Sequence, residues 1–528
     1  MVRRGSLQAR GRAWLAGFIA FSVVGCGPLG GCGSTSVQGA EPERPEEGHP
    51  LLVEGSTRGA ERDAAAPAEP AGPRAPEFAG EAAAAREVAL GALGEEGTFG
   101  EYATKLPELP LIADPGDPQL ANLDALPGSQ GGGAGEGSAA PTVDGNALGI
   151  FVPLENPGAL DHFYAALRRL KAGEDEDGKV RVLLYGASHT AADIYPTYLR
   201  SYLSERFGDG GPGYVSLVQT NRWYRLLAWT VESTKHWKIE HAQRRDARED
   251  GLFGLLGCSA TSKRKAAKSK LIPKIAGPGG DHSTTYDLLF LEQPGGGKFT
   301  ATFNRGDKPV KKTIKTKAKE PGPGYATFTF EGGPHELEVR PVGDGEVRLF
   351  GMTVEYDQPG VVVDTLGING TRAANNLKWD EAIWSDNLRR RSPDLVVLAY
   401  GTNEATDSDQ PIDAYKRGLV DVLDRVRAAA PEASCVLMGP GDFPLKGDDG
   451  AYGPRPRVPE IVAAQREIAE AKGCAFWDAL AFMGGEGSMA LWVQSTPQMG
   501  RADYIHLTRR GYVRLGMAFT DALMQGFD

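Results

Sequence analysis

Between Leu148 and the C-terminus the chain alternates short apolar runs with amphipathic stretches. Val180, Val182, Leu183 and Leu184 form a nearly continuous apolar run, the pattern of a strand buried on both faces. Gly186 then permits a sharp turn, and Ser188 follows where the chain leaves the strand. From Ala191 to Glu205, Ile194, Tyr198, Leu199, Tyr202 and Leu203 recur at helical spacing. Pro157–Lys171 carries a similar stripe ahead of the strand. The rhythm resumes with an apolar run at Val361–Thr365, a turn at Gly367–Gly370 and a helical stretch to about Arg391. Further strands are expected at Leu395–Tyr400, Cys435–Met438 and Cys474–Trp477, and further helices at Ile412–Ala430, Val458–Lys472 and Arg509–Met524. Strands alternating with helices imply an α/β fold with a parallel sheet covered on both faces.

One stretch breaks this rhythm. Between Tyr214 and Gly360 the period falls to two, in Phe299–Phe303, Tyr325–Phe330, Leu337–Arg340 and Val347–Phe350, with Gly, Pro and Asp turns between. This predicts an inserted β-rich module, a small sandwich. Trp223, Trp229 and Trp237 are expected in its core rather than on a sugar-stacking face. The basic run Lys263, Arg264, Lys265, Lys268 and Lys270 is expected to be a solvated loop.

The N-terminal part has a different character. Arg3, Arg4, Arg10 and Arg12 precede an apolar run, Ala13–Val24, too short for a comfortable membrane span. It ends Val23-Val24-Gly25-Cys26, which resembles the lipobox of bacterial lipoproteins, with Cys26 as the lipid attachment site; Cys32 is a second match, farther from the run. From Gly33 to about Asn146 the composition shifts to Ala, Pro, Gly and Glu, as in a disordered tether, with a less polar part, Phe99–Leu123, that could dock locally. The expected organisation is residues 1–26 signal peptide, 27–146 tether, 147–213 and 361–528 one α/β domain, and 214–360 the insert. With a net charge of −11 over 528 residues, no basic surface dominates, which argues against a nucleic-acid partner. The five cysteines show no metal-ligand spacing, so neither metal nor cofactor is expected. Cys435 and Cys474 are expected to be buried thiols.

Candidate chemistry collects at the predicted strand ends, where open α/β sheets bind ligands. Ser188 follows the first strand, Gly370 the second and Asn403 the third. Asp503 stands three residues before His506, just ahead of the last helix, with Thr508 as its N-cap. An Asp so placed can fold back to Nδ1 of the imidazole and leave Nε2 free to take the serine proton. The N–H groups of Ser188 and Gly370 and the Asn403 amide could surround one oxyanion. The expected reaction is acyl transfer to Ser188, with His506 as base and then acid.

These blocks, Gly186-Ala187-Ser188, Gly370, Gly401-Thr402-Asn403-Glu404 and Asp503-x-x-His506-Leu507-Thr508, resemble those of the SGNH (GDSL) hydrolase superfamily. Two positions depart from that pattern: Ala187 stands where an Asp is usual, and Glu404 where an Asp is usual. The resemblance implies a flavodoxin-like three-layer hydrolase domain. With the insert and the export signal, it is strongest to exported peptidoglycan and glycan O-acetylesterases carrying a carbohydrate-binding-like β module. It thus implies a serine esterase acting on an O-acylated carbohydrate, held to the membrane of a bacterial cell envelope through its lipid. The alternative is a glycan-binding lipoprotein whose hydrolase site has decayed at Ala187.

Overall fold

In the computed structural model of the chain, residues 79–95, 99–105, 143–220, 224–306, 308–448 and 450–528 are described. Cys26, the export signal, Trp223 and most of the expected tether lie outside them. Five parallel strands form the central sheet: β1 (Lys179–Gly186), β2 (Gly360–Gly367), β3 (Leu395–Ala399), β4 (Ser434–Met438) and β5 (Ala475–Trp477). Their order is β2-β1-β3-β4-β5, the flavodoxin-like arrangement. The principal helices are α1 (Gly80–Ala92), α2 (Asp161–Ala172), α3 (Ile194–Phe207), α4 (Glu381–Arg391), α5 (Ile412–Ala429), α6 (Arg457–Lys472) and α7 (Arg509–Met524).

Period-two alternation on β1 explains the three layers. Val180, Val182 and Leu184 pack with Phe163 and Leu167 of α2, Leu199 of α3 and Val513 of α7. Leu183 and Tyr185 point the other way, toward Trp384 of α4, Leu419 and Val422 of α5 and Ile461 of α6. A strand with both faces covered needs apolar residues at every position, hence its continuous run.

The insert is a pair of antiparallel sheets. One has the order 322–331, 283–292, 347–356, 258–262, 238–241, with 213–215 also on 347–356; the other runs 229–233, 269–273, 336–341, 298–304, 310–315. Leu288, Phe290, Met352 and Val354 of the first meet Phe299, Phe303, Leu337 and Val339 of the second in one core, and Trp229 and Trp237 are buried in it. The basic run crosses the turn between 258–262 and 269–273. It is partly neutralised there: Lys263, Lys268 and Lys270 pair with Glu346, Glu338 and Glu336 at 3.8, 3.1 and 2.7 Å.

Two expectations are corrected. The alanine-rich segment assigned to the tether contains α1, whose Ala85, Ala89 and Leu90, with Leu93 just beyond it, join the core beside α3. Alanine is the best helix former, and a stripe of small side chains lets two helices approach closely. Residues 99–105 also dock: Arg514 donates to the carbonyls of Gly100 and Glu101 at 3.0 and 2.9 Å, and Arg509 to that of Leu93 at 2.7 Å. Cys435 and Cys474 are not thiols but a disulfide, joining the start of β4 to the residue before β5. Sequence separation hides the pair, because strand order alone makes the two chain positions neighbours.

Candidate active site

Three strand ends lie side by side because β1 is the middle strand: Gly186 is in register with Gly367 of β2 on one side and Ala399 of β3 on the other. Adjacent strands are about 4.8 Å apart, so the loops that follow them meet over one small area. At Gly186 an added Cβ would lie 2.0 Å from Thr190 Oγ1 and 2.9 Å from the Ala399 carbonyl, so only glycine allows this turn. The chain then enters a single helical turn, Ser188–Ala191.

Into this area the loop before α7 brings His506. Its Nε2 lies 2.9 Å from Ser188 Oγ, and its Nδ1 lies 2.8 Å from Asp503 Oδ2. The other oxygen of Asp503 accepts the backbone N–H groups of Ile505 and His506 at 3.0 and 2.8 Å. Burial alone would raise the Asp503 carboxyl, but the His506 ring and these N–H groups outweigh it and hold it at about 2. Asp503 is therefore a fixed negative charge in the working range, and it sets the imidazole so that Nε2 can accept a proton. Thr508 caps α7, its hydroxyl accepting the Gly511 N–H at 3.2 Å, as expected.

Gly370 follows β2 and Asn403 follows β3, the two strands that flank β1. Gly370 has φ +76°, and nothing lies within 4 Å of where a Cβ would be, so its face is open. The Asn403 amide donates one hydrogen to the Thr371 carbonyl at 2.9 Å, which turns its second N–H free of that bond. Glu404 binds the two loops together, accepting Ala373 N–H at 2.9 Å and Gly401 N–H at 3.0 Å. It is buried, and burial pushes its carboxyl up against the pull of those N–H bonds. The family position where an Asp is usual thus carries a longer side chain that spans β2 and β3 loops. Removing the amide donor should leave this tie intact. Asn403→Ala is expected to lower kcat on an aryl acetate by roughly 10²- to 10³-fold, with the thermal midpoint nearly unchanged.

Of the five candidate residues, hydrogen bonds join Asp503, His506 and Ser188; the groups that support them were not legible in the sequence. Without an Asp at Ala187, the nucleophile turn closes through Ala191 N–H to Ala187 O at 2.9 Å, Ile368 N–H to Gly186 O at 3.0 Å and Thr190 Oγ1 to Tyr195 OH at 2.7 Å. His189, beside the serine, pairs through Nδ1 with Tyr512 OH at 3.0 Å. Burial, then the nearby His506, pushes its pKa down to about 3, so it stays neutral. Tyr504, between Asp503 and His506, has φ +56°, and its ring stacks on Tyr452 at 3.8 Å and 14°. Tyr452 comes from a small hairpin, 445–446 with 452–453, that no periodicity announced.

Residues 344–514 match the family model described as GDSL-like Lipase/Acylhydrolase family. Over that stretch the chain resembles SGNH (GDSL-like) ester hydrolases. The match begins within the last strand region of the β module, so Ser188 lies ahead of it while Gly370, Asn403, Asp503 and His506 lie inside it. Among solved structures, a peptidoglycan O-acetylesterase is 23% identical with a TM-score of 0.58, covering 71% of this chain and 99% of that one. Its likeness shows that the two chains share a fold. A family two carbohydrate esterase from Cellvibrio japonicus is 13% identical with a TM-score of 0.22, covering 57% of this chain and 98% of its own. An acetyl xylan esterase is 18% identical with a TM-score of 0.24, covering 31% and 80%. No curated protein matches the sequence.

Proposed function

We propose that this ester hydrolase removes O-acetyl groups from a cell-wall or surface glycan through an acyl-serine intermediate, with Ser188, His506 and Asp503 as its catalytic residues. The relay of 2.8 and 2.9 Å from Asp503 through His506 to Ser188 is what carries this proposal. Ser188 Oγ attacks the ester carbonyl carbon while its proton passes to His506 Nε2. The oxyanion is met by the N–H groups of Ser188 and Gly370 and by the Asn403 amide. The imidazolium then protonates the departing sugar oxygen, and water, deprotonated by the same nitrogen, releases acetate.

A small acyl group suits the surroundings. A cavity of about 50 Å³, walled by Met438, Met483, Met489 and Leu507, lies against His189, Thr402 and Ile505, the chain neighbours of Ser188, Asn403 and His506. The glycan half of the proposal draws on the structural relative described as a peptidoglycan O-acetylesterase. Attachment to an envelope membrane through Cys26 is part of the same proposal, and a disulfide suits an exported protein.

The purified chain should release acetate from O-acetylated peptidoglycan, and a serine-reactive phosphonate should label Ser188 in peptide mapping. kcat/KM should be followed across pH. Asp503, ionised above a pH of about 2, adds no inflection of its own. Acetate release from aryl acetates but from no acetylated glycan would remove the substrate assignment; failure of the phosphonate to label Ser188 would remove the mechanism.

A further inference from the structure

One edge of the β module carries a concentration of lysines. Strand 310–315 is the outermost strand of its sheet and pairs on one side only, with 298–304. Residues 308–319 contain Lys308, Lys311, Lys312, Lys315, Lys317 and Lys319 and no acidic residue, within a chain whose net charge is −11. All six lysines are exposed, while Ile314 and Thr316 turn into the module. Among the described residues none of the six forms an ion pair. The other basic side chains of this sheet do. Lys298 meets Asp344 at 2.7 Å, Lys270 meets Glu336 at 2.7 Å, and Lys268 meets Glu338 at 3.1 Å. Positive charge is thus neutralised within the sheet and left bare along its edge.

Bare like charges at strand spacing repel one another. Outward residues two apart are separated by roughly 7 Å, inside a screening length of about 8 Å at physiological salt. Guarding an edge strand against pairing with another chain explains one or two such lysines, not six within residues 308–319. A linear partner of opposite charge would relieve the repulsion along its whole length. Extended at about 3.3 Å per residue, Lys311 to Lys319 reaches up to roughly 25 Å.

We infer that this lysine edge is a docking strip for an anionic polysaccharide, a polymer bearing carboxylates at regular intervals. A lipid surface suits it less well. Membrane-binding faces join basic residues to exposed apolar ones. The exposed large apolar side chains here, Val88, Ile275, Leu377 and Leu445, lie elsewhere in the chain. The strip lies outside the catalytic machinery, so it concentrates or orients a polymer rather than acting on it. This inference does not depend on which ester the hydrolase cleaves.

The test uses the full chain and its variant Lys311→Gln, Lys315→Gln, Lys317→Gln, Lys319→Gln, with polygalacturonate as the probe. The wild type should bind polygalacturonate with an affinity that falls as salt rises, and should ignore the fully methyl-esterified polymer. The variant should bind about tenfold more weakly or worse, with kcat/KM on an aryl acetate and the thermal midpoint unchanged. Equal binding by the two proteins would overturn the inference. Equal binding with new self-association of the variant would reduce the lysines to edge guards. Weakened binding to phosphatidylglycerol vesicles, with polygalacturonate binding unaltered, would assign the strip to a membrane and likewise overturn it.

Discussion

Replacing Ser188 by alanine is expected to lower kcat on an aryl acetate by on the order of 10⁴- to 10⁶-fold, the range for loss of a triad nucleophile. Ser188 Oγ is the hydroxyl that His506 Nε2 reaches, at 2.9 Å, so its removal leaves the imidazole with no nucleophile to activate. What remains is the contribution of the oxyanion donors, which the substitution does not touch. His506→Ala should cost about as much by itself, and the double variant should lose little more, since two members of one relay act as a unit. The thermal midpoint should hardly move, because alanine is smaller than serine and already fits the preceding position, Ala187. Burst kinetics and phosphonate labelling check the result. Residual activity within about tenfold of wild type would mean that another group attacks the ester, because triad losses are far larger.

Arg391→Met is expected to destabilise the fold by about 3–5 kcal/mol, the cost of stranding buried carboxylates whose partner is gone. Arg391 ends α4 and is almost wholly buried, with a side-chain exposure of 6%. Its guanidinium holds Asp364 of β2 and Glu355 of the insert strand 347–356. Asp364 also accepts the Tyr214 N–H at 2.7 Å, and Glu355 is held by Arg181 of β1 at 2.9 and 3.0 Å. This network joins the module to the parallel sheet. Burial alone would raise the Glu355 carboxyl, but Arg391 and Arg181 hold it far below the ordinary carboxylate range. A depressed folded-state pKa gives stability that is complete above the unfolded value, about 4.3, and is lost as pH falls below it. The deficit of the variant should accordingly be largest near neutral pH and narrow in acid. Urea midpoints measured across that range would show it, and a deficit independent of pH would contradict the electrostatic cause.

Much of the site was legible because its determinants are local. Asp503 and His506 are three residues apart on one loop, and the cap at Thr508 follows at once, so spacing alone brings carboxylate and imidazole together. Gly186 and Ser188 belong to one strand-to-turn unit. The continuous apolar run of β1 announces burial on both faces, and burial on both faces implies helices on both sides.

Other features rest on partners far along the chain and left no local trace. Helix α1 looked like tether because its small residues acquire meaning only against α3. Insert strand 310–315 is lysine-rich and largely exposed, so its apolar signal is limited to Val310 and Ile314, and only Ile314 is buried. Glu404 is a plain acidic residue until β2 and β3 lie beside β1 and offer it two N–H groups. The Tyr452–Tyr504 stack likewise needs a hairpin and a catalytic loop to meet.

By itself, then, the sequence determined the strands and helices of the α/β part, the layered class of the fold and a set of candidate reactive groups, because period, turn chemistry and short spacings act within a few residues. Only the tertiary structure decided that Ser188 and His506, far apart in the chain, stand 2.9 Å from each other. It also decided that Cys435 and Cys474 pair, and that one lysine edge stays bare while neighbouring lysines are neutralised. The physical reason is common to all three: Coulomb forces, hydrogen bonds and disulfides depend on distance in space, and strand order, not chain position, sets that distance.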